Sequence, residues 1–383
     1  MTMTSTRFVK VSLLGLSLVG LQGLSATAEV LSETELEELL AKTPETAVQN
    51  VENGTSARSD DMQATAASSP KNAVVTAEEI EAATYDGAPL AEGRTALTAK
   101  VQILLDRAGI SPGVIDGYSG DMSRTAIMAF EGRAGLSVDG VMDQDVWNAL
   151  GGSEARALTT VHVISSDDIA SLSQDPLPSD YAELAELAHL GYTTPAEMIA
   201  ETYHMDEDFL RSLNPNASWT TDETITVVDP AVPGASASFA ISRIIVDKVR
   251  SRLVALDNDG VVLADYPVTV GSDGTPSPTG THKVRAIAMN PTYSYNPDLN
   301  FQQGDNTEPL TLPPGPNGPV GSVWIDLDKP TYGLHGTPHP DKLFTNQSHG
   351  CVRLTNWDAA DLAAMVSARM SEDNAEIEVV FSE

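Results

Sequence analysis

The segment Tyr332-Gly333-Leu334-His335-Gly336-Thr337-Pro338-His339-Pro340, followed after residues 341–347 by Ser348-His349-Gly350-Cys351-Val352-Arg353, gathers three of the chain's seven histidines around its only cysteine. A cysteine nucleophile acts as the thiolate, and a nearby imidazole takes the thiol proton and steadies the ion pair. His335 and His349 are both candidates for that task. Gly350 beside Cys351 allows a sharp turn that exposes sulfur and aims consecutive amide hydrogens at one point, where an oxyanion would be stabilised. Histidine and cysteine also suit zinc, and His335 and His339 have the i, i+4 spacing of a helical zinc motif. Gly336 and Pro338 oppose a helix there and no glutamate lies between, so no metal and no other cofactor is expected.

Outward from this segment the chain is rich in β signals. Branched, alternating residues at 243–249, 253–256 and 261–266 surround the turn Asp257-Asn258-Asp259-Gly260 and predict a hairpin or meander. Further strands are predicted at 267–271, 283–288, 322–327 and 377–381. One helix is expected, with Thr355 and Asp358 as its capping box and Leu362, Met365, Val366 and Met370 as its buried stripe. A Pro/Gly/Asn-rich excursion over 290–319 has the length of a functional lid or a disordered loop.

Toward the N-terminus the texture changes. Leu97, Val101, Leu104, Leu105 and Ala108 fall on one helical face that Gly109 stops. A second helix runs from Ser123 through Ile127 and Phe130, and a third from Asp143 through Val146 and Trp147. Each of these two follows a similar turn, Val114-Ile115-Asp116-Gly117-Tyr118 and Ser137-Val138-Asp139-Gly140-Val141, so residues 93–152 form an all-α three-helix unit. Residues 159–229 read as strand, two helices and strand, and 230–239 as a linker. Residues 29–92 are poor in aromatics and read as a disordered acidic leader with one short helix near Leu36, Leu39 and Leu40. At the start, Arg7 and Lys10, an apolar run over 11–24 and Ala26-Thr27-Ala28 have the layout of a signal peptide over 1–28.

The formal charge is −32, and removal of Arg7 and Lys10 with the signal makes the chain more acidic still. Such a protein repels nucleic acid and anionic lipid. No stable membrane insertion is expected, because the apolar run is shorter than the ~20 residues of a spanning helix. A lone cysteine forms no internal disulfide, which leaves a buried thiol, an intermolecular bridge or a reactive group.

The His-Gly pair, sixteen residues from histidine to cysteine, and Ser-His-Gly-Cys-Val-Arg resemble the signature of the L,D-transpeptidase (YkuD-like) catalytic domain. Thr275-Pro276-Ser277-Pro278-Thr279-Gly280, Pro319-Val320-Gly321 with Trp324-Ile325, and Arg353-Leu354-Thr355-Asn356-Trp357-Asp358-Ala359 add to the resemblance, which assigns 240–383 to a mainly-β catalytic domain with one C-terminal helix. His339 departs from it, standing where relatives tend to carry an acidic residue. The helical unit resembles a peptidoglycan-binding domain, and 159–229 resembles an α+β LysM-type wall-binding module.

The resemblance implies a cysteine acyltransferase of the periplasm or cell wall, working on peptidoglycan stem peptides and glycan. A monomer is expected, though the sequence does not determine the oligomeric state. Cys351 would attack the L-centre carbonyl of diaminopimelate in a tetrapeptide, release D-Ala and pass the acyl group to an amine in a 3→3 cross-link. Water or an envelope-protein lysine as acceptor would instead make a carboxypeptidase, a cross-link hydrolase or an anchoring enzyme. A wall-binding protein without activity is the reading from another class, and the intact His335 and Cys351 oppose it. His335 would be the base, oriented by the Gly336 carbonyl. The amides of His349, Gly350 and Cys351 would form the oxyanion hole, and Ser348 and Arg353 would bind substrate.

Overall fold

Thr76 and Glu79 cap each other's backbone at the start of helix α1 (Ala77–Ala82), which sinks Ile80 completely into the interior. A leader expected to run disordered to residue 92 is therefore ordered from α1 onward. A single buried isoleucine among small and acidic residues produces no periodicity, so the only local signal of this helix is the capping-box spacing of Thr76 and Glu79. In the computed structural model the described residues are 74–231, 241–272, 274–298, 301–344, 348, 350–372 and 375–382. The expected signal peptide and most of the expected leader and linker lie outside them.

Helices α2 (Ala96–Arg107), α3 (Asp121–Ala134) and α4 (Gln144–Ala149) enclose Val101, Leu105, Ile127, Phe130, Val146 and Trp147. The two Asp-Gly turns are held alike. Gln102 Oε1 accepts the amides of Asp116 and Gly117 at 3.1 and 2.8 Å, and Glu131 Oε2 accepts those of Asp139 and Gly140 at 2.9 and 2.8 Å.

Strand β1 (Thr159–Val163) pairs antiparallel with β2 (Thr224–Val228), Thr159 facing Val228. Between them lie α5 (Ser166–Ala170), α6 (Tyr181–Ala185), α7 (Pro195–Thr202) and α8 (Glu207–Leu213). The last two are the expected pair. The first two are single turns fixed by Ser165 and Asp180 caps, too short to show a 3.6-residue period. Ile199, Phe209, Leu210, Ile225 and Val227 share one core with Ile80, Ile103, Leu104 and Ile115, so this module and the helical unit fold against each other.

The last part is one eight-stranded sheet. Its strands are β3 (Ile241–Asp247), β4 (Arg252–Asp257), β5 (Val262–Pro267), β6 (Gly280–Met289), β9 (Val323–Leu327), β10 (Gly333–His335), β11 (Val352–Arg353) and β12 (Glu378–Ser382). They lie in the order β11-β10-β9-β6-β12-β3-β4-β5. Pairing is antiparallel except at β12 with β3 and β10 with β11. Helix α9 (Asn356–Met370) covers it with Leu362, Ala363, Met365 and Val366. Beyond β5 the chain bridges Thr269 to Arg353 and Gly271 to Ser348, fastening the 267–271 segment beside the cysteine loop.

The three parts meet at buried polar groups. His204 of the middle module lies 3.1 Å from Asp106 of α2 and stacks on Trp357 of α9, with ring centroids 5.2 Å apart. Ser111 donates to Asp358 at 2.9 Å. Burial pushes the Asp358 carboxyl up to about 7 and that of Glu201, in α7, up to about 8. The folded chain thus holds protons that the unfolded chain has released, and stability falls as pH rises from the ordinary carboxylate range through 7 to 8. Burial opposes charge on His204, but Asp106 and the nearby Asp358 and Asp361 outweigh it and raise its pKa, which acts in the same sense. His335, depressed to about 4, works against this only below its ordinary 6.5. The melting temperature is therefore expected to climb as pH is lowered from 8.5 to 6.5, with a shallower climb in Asp358→Asn. A flat or falling profile in the parent chain would contradict the assignment.

Candidate active site

Register brings the chemistry together. Parallel pairing sets Leu334 beside Val352 and His335 beside Arg353, so Cys351, one residue before β11, comes level with Gly333. The Cys351 thiol lies 3.6 Å from the Thr331 carbonyl. Burial pushes this thiol above its ordinary value, while a backbone hydrogen bond from Gly333 and the charge of Arg353 pull it down.

His335 is buried, its ring stacked on Trp324 with centroids 5.5 Å apart. Its Nδ1 lies 2.7 Å from the Gly336 carbonyl, which can only accept, so Nδ1 carries the hydrogen and Nε2 keeps its lone pair. Burial drives its pKa down to about 4, with Arg353 adding to the effect and the Gly336 carbonyl opposing it. At neutral pH the resting site therefore holds a neutral imidazole and a protonated thiol rather than a preformed ion pair. Such a histidine accepts the proton as sulfur attacks.

The turn before the cysteine is built around Ser348. Its hydroxyl donates to the Cys351 carbonyl at 2.5 Å and accepts the Gly350 amide at 3.1 Å. The Ser348 hydroxyl is thus engaged inside the loop and the Gly350 amide is turned to it, while Ser348 also lines the cavity that holds Cys351. Gly350 has φ +111°, and a Cβ on it would lie 2.9 Å from the Tyr332 ring, so no other residue fits without strain. His349 lies outside the described residues.

His335, Cys351, Arg353 and Ser348 line one cavity of about 1280 Å³, with His339 on its wall as well. Arg353 is half-buried, and the electrostatic influence of its guanidinium reaches Cys351, Tyr181 and Tyr293. Among the described residues no group of three His, Cys, Asp or Glu side chains is arranged to hold a metal ion.

The roof of this cavity is signalled in the sequence only by the lid-like length of the 290–319 excursion. The 290–319 excursion folds into the hairpin β7 (Tyr293–Tyr295) and β8 (Leu310–Leu312), and the middle module grips it. Tyr181 of α6 meets Tyr293, Tyr295 and Phe301 edge to face. Leu184 and Leu190 pack with Tyr295 and Leu312. Leu190 donates its amide to the Pro314 carbonyl at 2.8 Å, and Asn317 Nδ2 donates to Glu197 at 2.7 Å. Tyr181, Glu197 and Glu201 of this module line the same cavity as Cys351. Contacts between residues more than a hundred positions apart leave no local pattern to read.

Two parts of the chain match known families. Residues 241–378 match the L,D-transpeptidase catalytic domain family, and residues 94–150 match a putative peptidoglycan binding domain. The putative L,D-transpeptidase YkuD of Bacillus subtilis is 27% identical over 170 residues, covering 44% of this chain and 85% of the relative. The probable L,D-transpeptidase YbiS of Escherichia coli is 26% identical over 204 residues, covering 51% of this chain and 66% of the relative. A crystal structure of the L,D-transpeptidase from Xylanimonas cellulosilytica is 14% identical with a TM-score of 0.31, covering 78% of this chain and 100% of that one.

Proposed function

Given an L,D-transpeptidase catalytic domain over 241–378 and a peptidoglycan-binding domain over 94–150, we propose that the chain carries acyl groups between peptidoglycan stem peptides through a thioester on Cys351. The observation that carries this reading is His335 held by Gly336 with Nε2 unprotonated, in the cavity that also holds the Cys351 thiol.

The thiol proton passes to His335 Nε2 as sulfur adds to the L-centre carbonyl of diaminopimelate. When the tetrahedral adduct collapses, the C–N bond breaks, the imidazolium returns the proton to the departing D-Ala amine, and the acyl group stays on sulfur. The side-chain amine of a second stem then adds to the thioester and gives a proton to His335. The C–S bond breaks, the thiol regains that proton, and a 3→3 amide remains. Arg353 holds a substrate carboxylate through the paired donors of its guanidinium. The Cys351 amide stabilises the oxyanion, and the Gly350 amide joins it once freed from Ser348. The module at 159–229, LysM-like in its paired strands β1 and β2 and in helices α7 and α8, with the short turns α5 and α6 added between them, helps hold the enzyme to the wall. Export by the N-terminal signal places the reaction in the periplasm or cell wall.

Incubation with a defined disaccharide-tetrapeptide, followed by mass spectrometry, tests this. The expected products are D-Ala, a dimer one D-Ala lighter than two substrates, and an acyl adduct on the Cys351 peptide. Tripeptide with no dimer would make water the acceptor. Turnover with no adduct on Cys351 would sink the thioester.

A further inference from the structure

Asn356, the first residue of α9, is buried and pinned at both ends of its amide. Oδ1 accepts the Ser322 amide at 3.0 Å, and Nδ2 donates to Glu201 at 2.9 Å and to the Pro316 carbonyl at 3.3 Å. The Ser322 N–H only donates and the Pro316 carbonyl only accepts, which fixes which end of the amide is oxygen. That oxygen rests on Gly336, where a Cβ would lie 2.2 Å from it. Gly336 in turn offers the carbonyl that orients His335. A continuous chain of contacts thus runs from Glu201 through Asn356 and Gly336 to the imidazole.

Glu201 does not belong to the catalytic domain. It lies in α7 of the middle module, is 6% exposed, and also accepts a hydrogen bond from Tyr192 at 3.2 Å. We infer that Glu201 is a positioning residue for His335, so that the middle module completes the active site as well as roofing it. This rests on His335 being the base. Without the Glu201 acceptor, Nδ2 keeps only the longer bond to Pro316, the amide rocks, and the Gly336 carbonyl no longer holds Nδ1 in one place. The imidazole then spends less time with Nε2 toward the sulfur. The consequence is a lower kcat with KM little changed, because the cavity wall keeps its shape.

The test uses the full chain and two readouts, alkylation of Cys351 by iodoacetamide as a function of pH, and kcat and KM on the tetrapeptide. Glu201→Met fills the space without an acceptor and is expected to slow alkylation at pH 7 and kcat by roughly five- to tenfold. Its acid limb should not rise from about 4 and should move further down, because the Gly336 carbonyl is the contact that holds the imidazole pKa up against burial. Glu201→Gln restores the acceptor and should recover most of the rate. Glu201→Leu removes the acceptor with an apolar side chain of another shape. It should reproduce the loss, and it carries the test if the methionine variant does not fold. A Glu201→Met enzyme as fast as the parent would overturn the inference, and so would equal losses in the methionine and glutamine variants. His335→Asn is run beside them. If it leaves alkylation unchanged, the base assignment itself fails and the inference falls with it. If His335→Asn is slow while Glu201→Met and Glu201→Leu are not, the inference alone is wrong.

Discussion

Cys351→Ala is expected to abolish acyl transfer, with a fall in kcat on the order of 10⁴-fold or more, as befits removal of the atom that carries the acyl group. The fold should barely register the change. Cys351 is half-exposed, its thiol lies 3.6 Å from the Thr331 carbonyl, and Ser348 and the β10–β11 pairing hold the loop through backbone atoms. Thermal unfolding should therefore shift by no more than about 1 kcal/mol. Dimer formation and adduct mass are measured on the same preparation. Persistence of cross-linking at more than a trace level would show that another group carries the acyl chain.

His335→Asn should be nearly as damaging and differently shaped. Asparagine offers a hydrogen for the Gly336 carbonyl but no basic atom, so general-base assistance, worth about 10²- to 10⁴-fold, is lost at pH 7. The parent chain should keep a level rate from about pH 5 upward, because burial has already moved the imidazole down to about 4. The variant has only the thiolate that water can generate, and burial holds that thiol above its ordinary value. Its rate should rise about tenfold per pH unit until the thiol ionises. A pH profile of kcat/KM for both proteins separates the cases. An acid limb near 6.5 in the parent, or a variant rate indifferent to alkaline pH, would contradict a neutral resting pair with His335 as base.

Much of this site is legible in the chain itself. Cysteine and histidine chemistry single out Cys351 and His335 without any fold, and alternation with turn residues locates the sheet and its single long helix. The paired Asp-Gly turns of the helical unit are equally plain, since each needs a glycine at positive φ beside its helix. Local rules produce local evidence, and those features depend on residues near one another in sequence.

Other features depend on parts of the chain that meet only when folded. Glu81 fastens α1 to β1 by accepting the Leu158 and Thr159 amides at 2.8 Å, across a separation that no period reports. The hydroxyl of Ser348 is bonded within its own loop, a matter of backbone direction. The excursion over 290–319 reads as a functional lid or a disordered loop and is gripped by α6 and the segment after it, because Tyr181, Leu184 and Leu190 supply the apolar partners it lacks. By itself the sequence singled out Cys351 and His335 as the candidate reacting pair and displayed the signature that resembles the family. Only the tertiary structure decided the protonation state of the resting pair and the share the middle module takes in the cavity, because burial and desolvation are set by neighbours that the linear order keeps apart.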